Sequence, residues 1–130
     1  MSAARKDVAE QIKADNPGFI VTDFPVSAPE NIPAGKVSVN VYRDGFSVND
    51  SNSQITHSLK VLVTVSKKGT AAAEDELDAA VDAVMLSLEA MRDVYWQEAQ
   101  RTIVAEQWEA YEISLQAVRP QIYKSQLLTA

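Results

Sequence analysis

The sequence predicts an α+β fold: an antiparallel sheet of four to five strands with a long hairpin, packed on one face by two helices. Three observations predict it. Two valine-rich runs repeat every second residue, as a strand with one buried face requires. One later run repeats its apolar residues at helical spacing. The whole chain of 130 residues, 46% hydrophobic and 23% charged, is sized for one soluble domain with a real core. That domain is taken as residues 1–119, with residues 120–130 as a C-terminal tail.

The elements follow in order. Ala4, Val8 and Ile12 fall four apart and put a narrow apolar stripe on a short helix, which "NPG" at Asn16 to Gly18 stops. "FIVTDF", Phe19 to Phe24, reads as a strand. "PVSAPENIPAG" then spends three prolines on an extended crossing. In "KVSVNVYRD" the apolar positions are Val37, Val39 and Val41; in "ITHSLKVLVTVSKKG" they are Leu59, Val61, Val63 and Val65. These two runs pair as a hairpin, leaving Asp44 to Ser53 as a polar connection of about ten residues.

From Thr70 the period changes. Leu77, Val81, Val84, Met85, Leu88 and Met91 share one face of the main helix, with Thr70 as its cap and Glu74, Asp75 and Glu76 near its positive end. A flank of Ala72, Ala79, Ala83 and Ala90 offers the first helix a place to lie. Tyr95 to Glu106 is ambiguous: Gln, Glu and Ala favour helix, whereas Thr102, Ile103 and Val104 favour strand. Tyr111, Ile113 and Leu115 mark a last strand from Ala110 to Val118. Pro120 ends its pairing, and Ile122, Tyr123, Leu127 and Leu128 lie in the tail. The predicted core comprises Val39, Val61, Val63, Leu77, Val81, Met85, Leu88 and Ile113.

Composition removes several function classes. The net charge is −6 and no window holds the Lys/Arg clusters that grip a phosphate backbone. There is no cysteine, hence no disulfide, thiolate nucleophile or sulfur-ligated zinc. The N-terminal "MSAARKDVAEQIKADNPG" has no apolar segment of the signal-peptide kind, and no run reaches the roughly 20 apolar residues of a membrane span.

Catalytic signals are thin. His57 is the sole histidine, and no nucleophile motif accompanies it, so it reads as an ordinary strand residue. Asp75, Asp78, Asp82, Glu89 and Asp93 line one flank of the main helix; a solvated face explains them better than a hard-cation site. The polar connection fails the calcium-loop pattern: counted from Asp44 the twelfth residue is Ile55, and counted from Asn49 the sixth is Gln54. No metal and no cofactor is implied. The connection instead has the composition of a contact element, with Phe46 as its anchor and Arg43 or Asp44 at its base.

The order of these elements resembles the tail terminator proteins of long-tailed, siphovirus-like bacteriophages. The resemblance runs over nearly the whole chain, through "VSVNVYRDGF", "SLKVLVTVSKKG", "AEDELDAAVDAVMLSLEAM" and "AQRTIVAEQWEAYEISLQAV"; "VYRD" and "AYEISL" are its most telling pieces. It implies a strand for the segment before "AYEISL". It implies a homohexameric ring at the head-proximal end of the tail tube, which stops tube polymerisation and offers a docking surface to the head connector. Partners would then be further copies of the chain, the tail tube protein and the head-tail connector proteins, with genomic DNA passing through the ring without sequence-specific binding and no membrane involved. The protein would be assembled in the bacterial host cytoplasm and reside in the virion, at the head-tail junction. The chain beyond Val118 is longer than the family pattern, which leaves the tail's role open.

The residues agree on separate grounds. A net acidic subunit repels duplex phosphates rather than holding them, as a passage for DNA requires. The helix-free sheet face, with Ser38, Asn40, Tyr42, Lys60, Leu62 and Thr64, is left for neighbours, and the subunit or tube interface is expected at Tyr42, Arg43, Asp44, Phe46 and Leu62. A neck adaptor or head-closure protein of the same junction is the second reading. A small enzyme or ligand-binding module is a remote third, opposed by the single histidine and the lack of a Gly-rich phosphate loop.

Overall fold

The computed structural model describes residues 4–23, 36–48, 53–65, 71–104 and 108–120. The chain builds α1 (Ala4–Asp15), β1 (Ile20–Thr22), β2 (Val37–Val48), β3 (Gln54–Val65), α2 (Ala71–Glu89), β4 (Val94–Val104) and β5 (Trp108–Pro120). The five strands form one sheet in the order β1-β2-β3-β5-β4. Three neighbouring pairs are antiparallel, but β1 runs parallel to β2, with Val21 opposite Val39. The sheet is thus mixed rather than purely antiparallel. A parallel neighbour cannot be reached by a tight turn, and the Pro-rich crossing supplies the required length of chain; that crossing, with Phe24, lies outside the described residues.

Both helices cover one face. Val8 and Ile12 of α1 and Leu77, Val84 and Leu88 of α2 are sealed against Val39, Val41, Leu59, Val61, Val63, Ile113 and Leu115 of the sheet. Val81 belongs to the same cluster, while Met85 and Met91 pack against it partly exposed. At roughly 1.5–3 kcal/mol per large side chain removed from water, this layer is the main source of stability. Asn16 closes α1: its backbone N–H and its side-chain amide both donate to the Ile12 carbonyl, at 3.0 and 3.1 Å.

Several sequence expectations change: Pro120, expected to end the last strand's pairing, lies opposite Gln54 at the end of β5, and α2 stops at Glu89, short of Met91 and Asp93. The hairpin strands continue beyond Asp44, so that Asp44 to Val48 belong to β2 and only 49–53 remain as connection. Around α2 the small residues turned inward are Ala73, Ala80 and Ser87, whereas Ala72, Ala79 and Ala90 are exposed. The buried row is one residue further round the helix, where each residue adds about 100°. The segment from Tyr95, left open between helix and strand, is the edge strand β4 as far as Val104. Thr70 and the tail residues Ile122, Tyr123, Leu127 and Leu128 lie outside the described residues. Among the described helices none is long and apolar enough to cross a membrane.

Candidate assembly surfaces

The first surface is the far end of the β2–β3 hairpin. Arg43 pairs with Leu59, but the register then shifts and Gly45 pairs with Ser58, leaving Asp44 as an extra residue. Such a bulge resets the alternation of faces. Arg43 and Phe46, three apart in sequence, therefore point to the same side of the sheet as the helices. The Arg43 guanidinium lies 4.3 Å from the centre of the Phe46 ring, and the centre of the His57 ring is 6.0 Å from it, tilted by 36°. Phe46 is nevertheless 50% exposed. An aromatic ring in contact with a cation and near an imidazole, with half its surface in water, is suited to be a contact element.

Among the described residues the charges that act on His57 are cationic. Burial lowers its pKa, and the charges of Arg43 and Arg119 lower it further. A general base is supported by a carboxylate that steadies its cationic form; here the facing groups are cations. No group of three or more metal-ligating side chains comes together among the described residues. The expected acidic flank is divided instead: Glu89, the last residue of α2, accepts a hydrogen bond from Trp96 Nε1 at 2.6 Å, whereas Asp93 lies beyond the helix, in the turn before β4, 2.8 Å from Arg119 Nε.

The second surface is the helix-free face of the sheet. Ser38, Asn40 and Thr64 lie on it yet are buried, and Asn40 donates its side-chain amide hydrogen bond to Thr22 Oγ1 of β1. Only the part nearer the hairpin end stays accessible, where Tyr42, Lys60 and Leu62 are half-buried. Lys60 donates to Ser114 Oγ at 2.7 Å and lies 3.6 Å from Glu112. Burial raises the Tyr42 phenol pKa, and the negative charges of Glu112 and Asp44 add to the effect. Beside them is a shallow polar depression of about 390 Å³, lined by Asp44, Ser58, Lys60, Gln97, Glu98 and Ser114.

The third surface is β4, which sequence reasoning did not single out. It carries Tyr95, Trp96 and Ile103, all exposed. Its register shifts between Trp96 and Glu98, so Gln97 is a second bulged residue. The alternation restarts there, and this is why no single period runs through the segment. Its far half is tied to the body of the domain: Arg101 reaches Glu74 of α2 and Glu109 of β5, and lies over the Tyr111 ring at 5.5 Å. Hydrogen bonding to Arg101 holds the Glu74 carboxyl down at about 2. The signal within reach of the sequence was the aromatic pair Tyr95 and Trp96 at the start of the segment.

No protein-family model matches this chain, and no curated protein matches it in sequence. Among solved structures, a chain from the virion of a native gene transfer agent particle is similar, with a TM-score of 0.56 at 17% identity. The match covers 92% of this chain and 96% of that one. At that identity the likeness is one of fold.

Proposed function

We propose that the chain is a structural, non-enzymatic protein of a phage-like virion, and within that class a tail terminator. It would form a ring, six-membered by the resemblance, at the head-proximal end of the tail tube, stopping tube growth and receiving the head connector. The observation that carries the virion role is the likeness, over nearly the full length of both chains, to a chain of a gene transfer agent virion. The resemblance in "VYRD" and "AYEISL" narrows the role to the terminator. The acidic charge of −6 suits a passage through which DNA slides without being held.

Interface roles for Tyr42, Arg43, Asp44, Phe46 and Leu62 belong to the same reading. Tyr42 and Leu62 lie on the helix-free face, Asp44 is the bulge, and Arg43 with Phe46 forms the stacked hairpin tip. Particles lacking this protein test the function by electron microscopy. Overlong tails are the expected result. Tails of normal length beside unattached heads would replace termination with the adaptor or head-closure role.

A further inference from the structure

The two sides of the sheet are complementary. On one side β4 presents its outer edge. On the other, β1 covers β2 only from Ser38 to Asn40, and among the described residues no strand pairs with the outer edge of β2 from Val41 to Gly45. Three antiparallel pairings separate β2 from β4, so these two strands are antiparallel to one another. A second copy set beside the first, in the same orientation, brings β4 of one against β2 of the next in the pairing sense used throughout that part of the sheet.

The rows of the sheet show what would then meet. One row runs Arg43, Leu59, Leu115, Trp96; the next, on the other face, runs Gly45, Ser58, Gln116, Tyr95; a third runs Tyr42, Lys60, Ser114, Glu98. If each row continues from copy to copy, Arg43 lies beside Trp96, Gly45 beside Tyr95, and Tyr42 beside Glu98. The chemistry fits at each place. A guanidinium meets an indole, an edge glycine is covered by an aromatic ring, and a phenol meets a carboxylate.

The two bulges match as well. Asp44 follows Arg43, and Gln97 follows Trp96, so the two interruptions flank the same row. A bulge on an edge ordinarily discourages a partner strand; here Asp44 lies on one side of the shared row and Gln97 on the other, so each strand contributes one extra residue and Tyr42–Gly45 and Tyr95–Glu98 keep equal length. The end of β1 at Thr22, opposite Asn40, limits how far the incoming strand can slide.

We infer that copies of this chain join head to tail through sheet pairing, the first half of β4 (Val94 to Ala99) of one copy adding to Val41–Gly45 of the next. The inference rests on the ring proposed above and identifies its contact. Because the two edges differ, the contact is heterologous and propagates until it closes.

The chain contains no cysteine, which permits a clean test. In the double variant Gly45→Cys/Tyr95→Cys the two sulfurs of one copy lie three strand spacings apart, roughly 14 Å, and beyond disulfide reach of about 7 Å between Cα atoms. A Cβ at Gly45 meets nothing within 4 Å. Mild oxidation of the purified double variant is expected to give a ladder of covalent multimers ending at the ring size. A mixture of the two single variants is expected to give dimers only, and each single variant alone none. Thermal melts of the reduced variants verify folding.

An oligomer of unchanged mass with no ladder overturns the edge pairing and leaves the ring reading standing. Dimers from one single variant alone overturn it in favour of a two-fold contact. A chain monomeric at every concentration and giving no ladder overturns it too, and the tail lengths of particles lacking the protein then judge the ring reading separately.

Discussion

Arg119, one residue before the end of β5, holds Asp7 of α1 at 2.9 Å, fastening the last strand to the first helix. The same guanidinium lies 2.8 Å from Asp93, an ion pair by distance, though its N–H is not aligned on the oxygen. Both side chains of the Arg119–Asp7 pair are about three-quarters buried. Arg119→Ala is therefore expected to cost about 1–2 kcal/mol and to free α1 before the sheet melts. Faster proteolysis within residues 4–15, with the main melting transition only slightly lowered, would bear this out; an unchanged cleavage rate would show the clamp to be idle.

Val61 and Leu88 are 0% and 1% exposed at the junction of sheet and α2. Leu88→Ala is expected to lose about 2–5 kcal/mol, as truncations in a close-packed core do. Val61→Asp or Leu88→Asp should abolish folding, because each buries an unpaired carboxylate. Circular dichroism and chemical denaturation read both outcomes, and a cooperatively folded Asp variant would contradict the assignment of faces.

The pH dependence of stability should contain a contribution from His57. Its folded pKa lies below the ordinary 6.5, first through burial and then through Arg43 and Arg119. The unfolded chain thus takes up a proton that the folded chain resists, so stability is fully present above pH 6.5 and falls as the pH drops through the lowered folded value. The effect is modest for a ring that is only partly buried. His57→Asn should flatten the stability profile below pH 6.5; an unaltered slope would mean that another group carries it.

Phe46→Ala removes the ring that Arg43 stacks on and that His57 neighbours. The isolated chain should lose no more than about 1 kcal/mol, the scale of an exposed cation–π contact. Assembly is expected to suffer far more, and sedimentation of the variant against the unaltered protein separates the two. Equal assembly would make the hairpin tip a solvated end with no contact role.

Much of this architecture was legible in the sequence wherever one period ran unbroken. Val37 to Val41, Leu59 to Val65 and Leu77 to Leu88 keep their spacing and occupy the faces that spacing requires. Legibility failed at the two bulges. Asp44 and Gln97 each insert one residue and shift the pattern by half a period, so β2 seemed to end at Arg43 and β4 had no consistent period. The parallel sense of β1 was hidden for another reason: three residues carry no directional signal, and only the length of the crossing bears on it. The hairpin tip was visible as Phe46 in a polar stretch, whereas its stacking on Arg43 depends on the bulge.

The strand order also governs the sequence of events in folding. β2 with β3 and β4 with β5 are each hairpins closed over a few residues, whereas the β3–β5 ladder joins Gln54 to Pro120 and spans all of α2. Local loops close early and long ones late, because closure entropy grows with length. The two half-sheets are therefore expected to close before the β3–β5 ladder joins them across α2 and β4. Until then the inner edges of both halves are bare, and a half-sheet from another chain fits as well as its own. Crowded synthesis is therefore expected to favour exchange of the β4–β5 hairpin between newly made molecules.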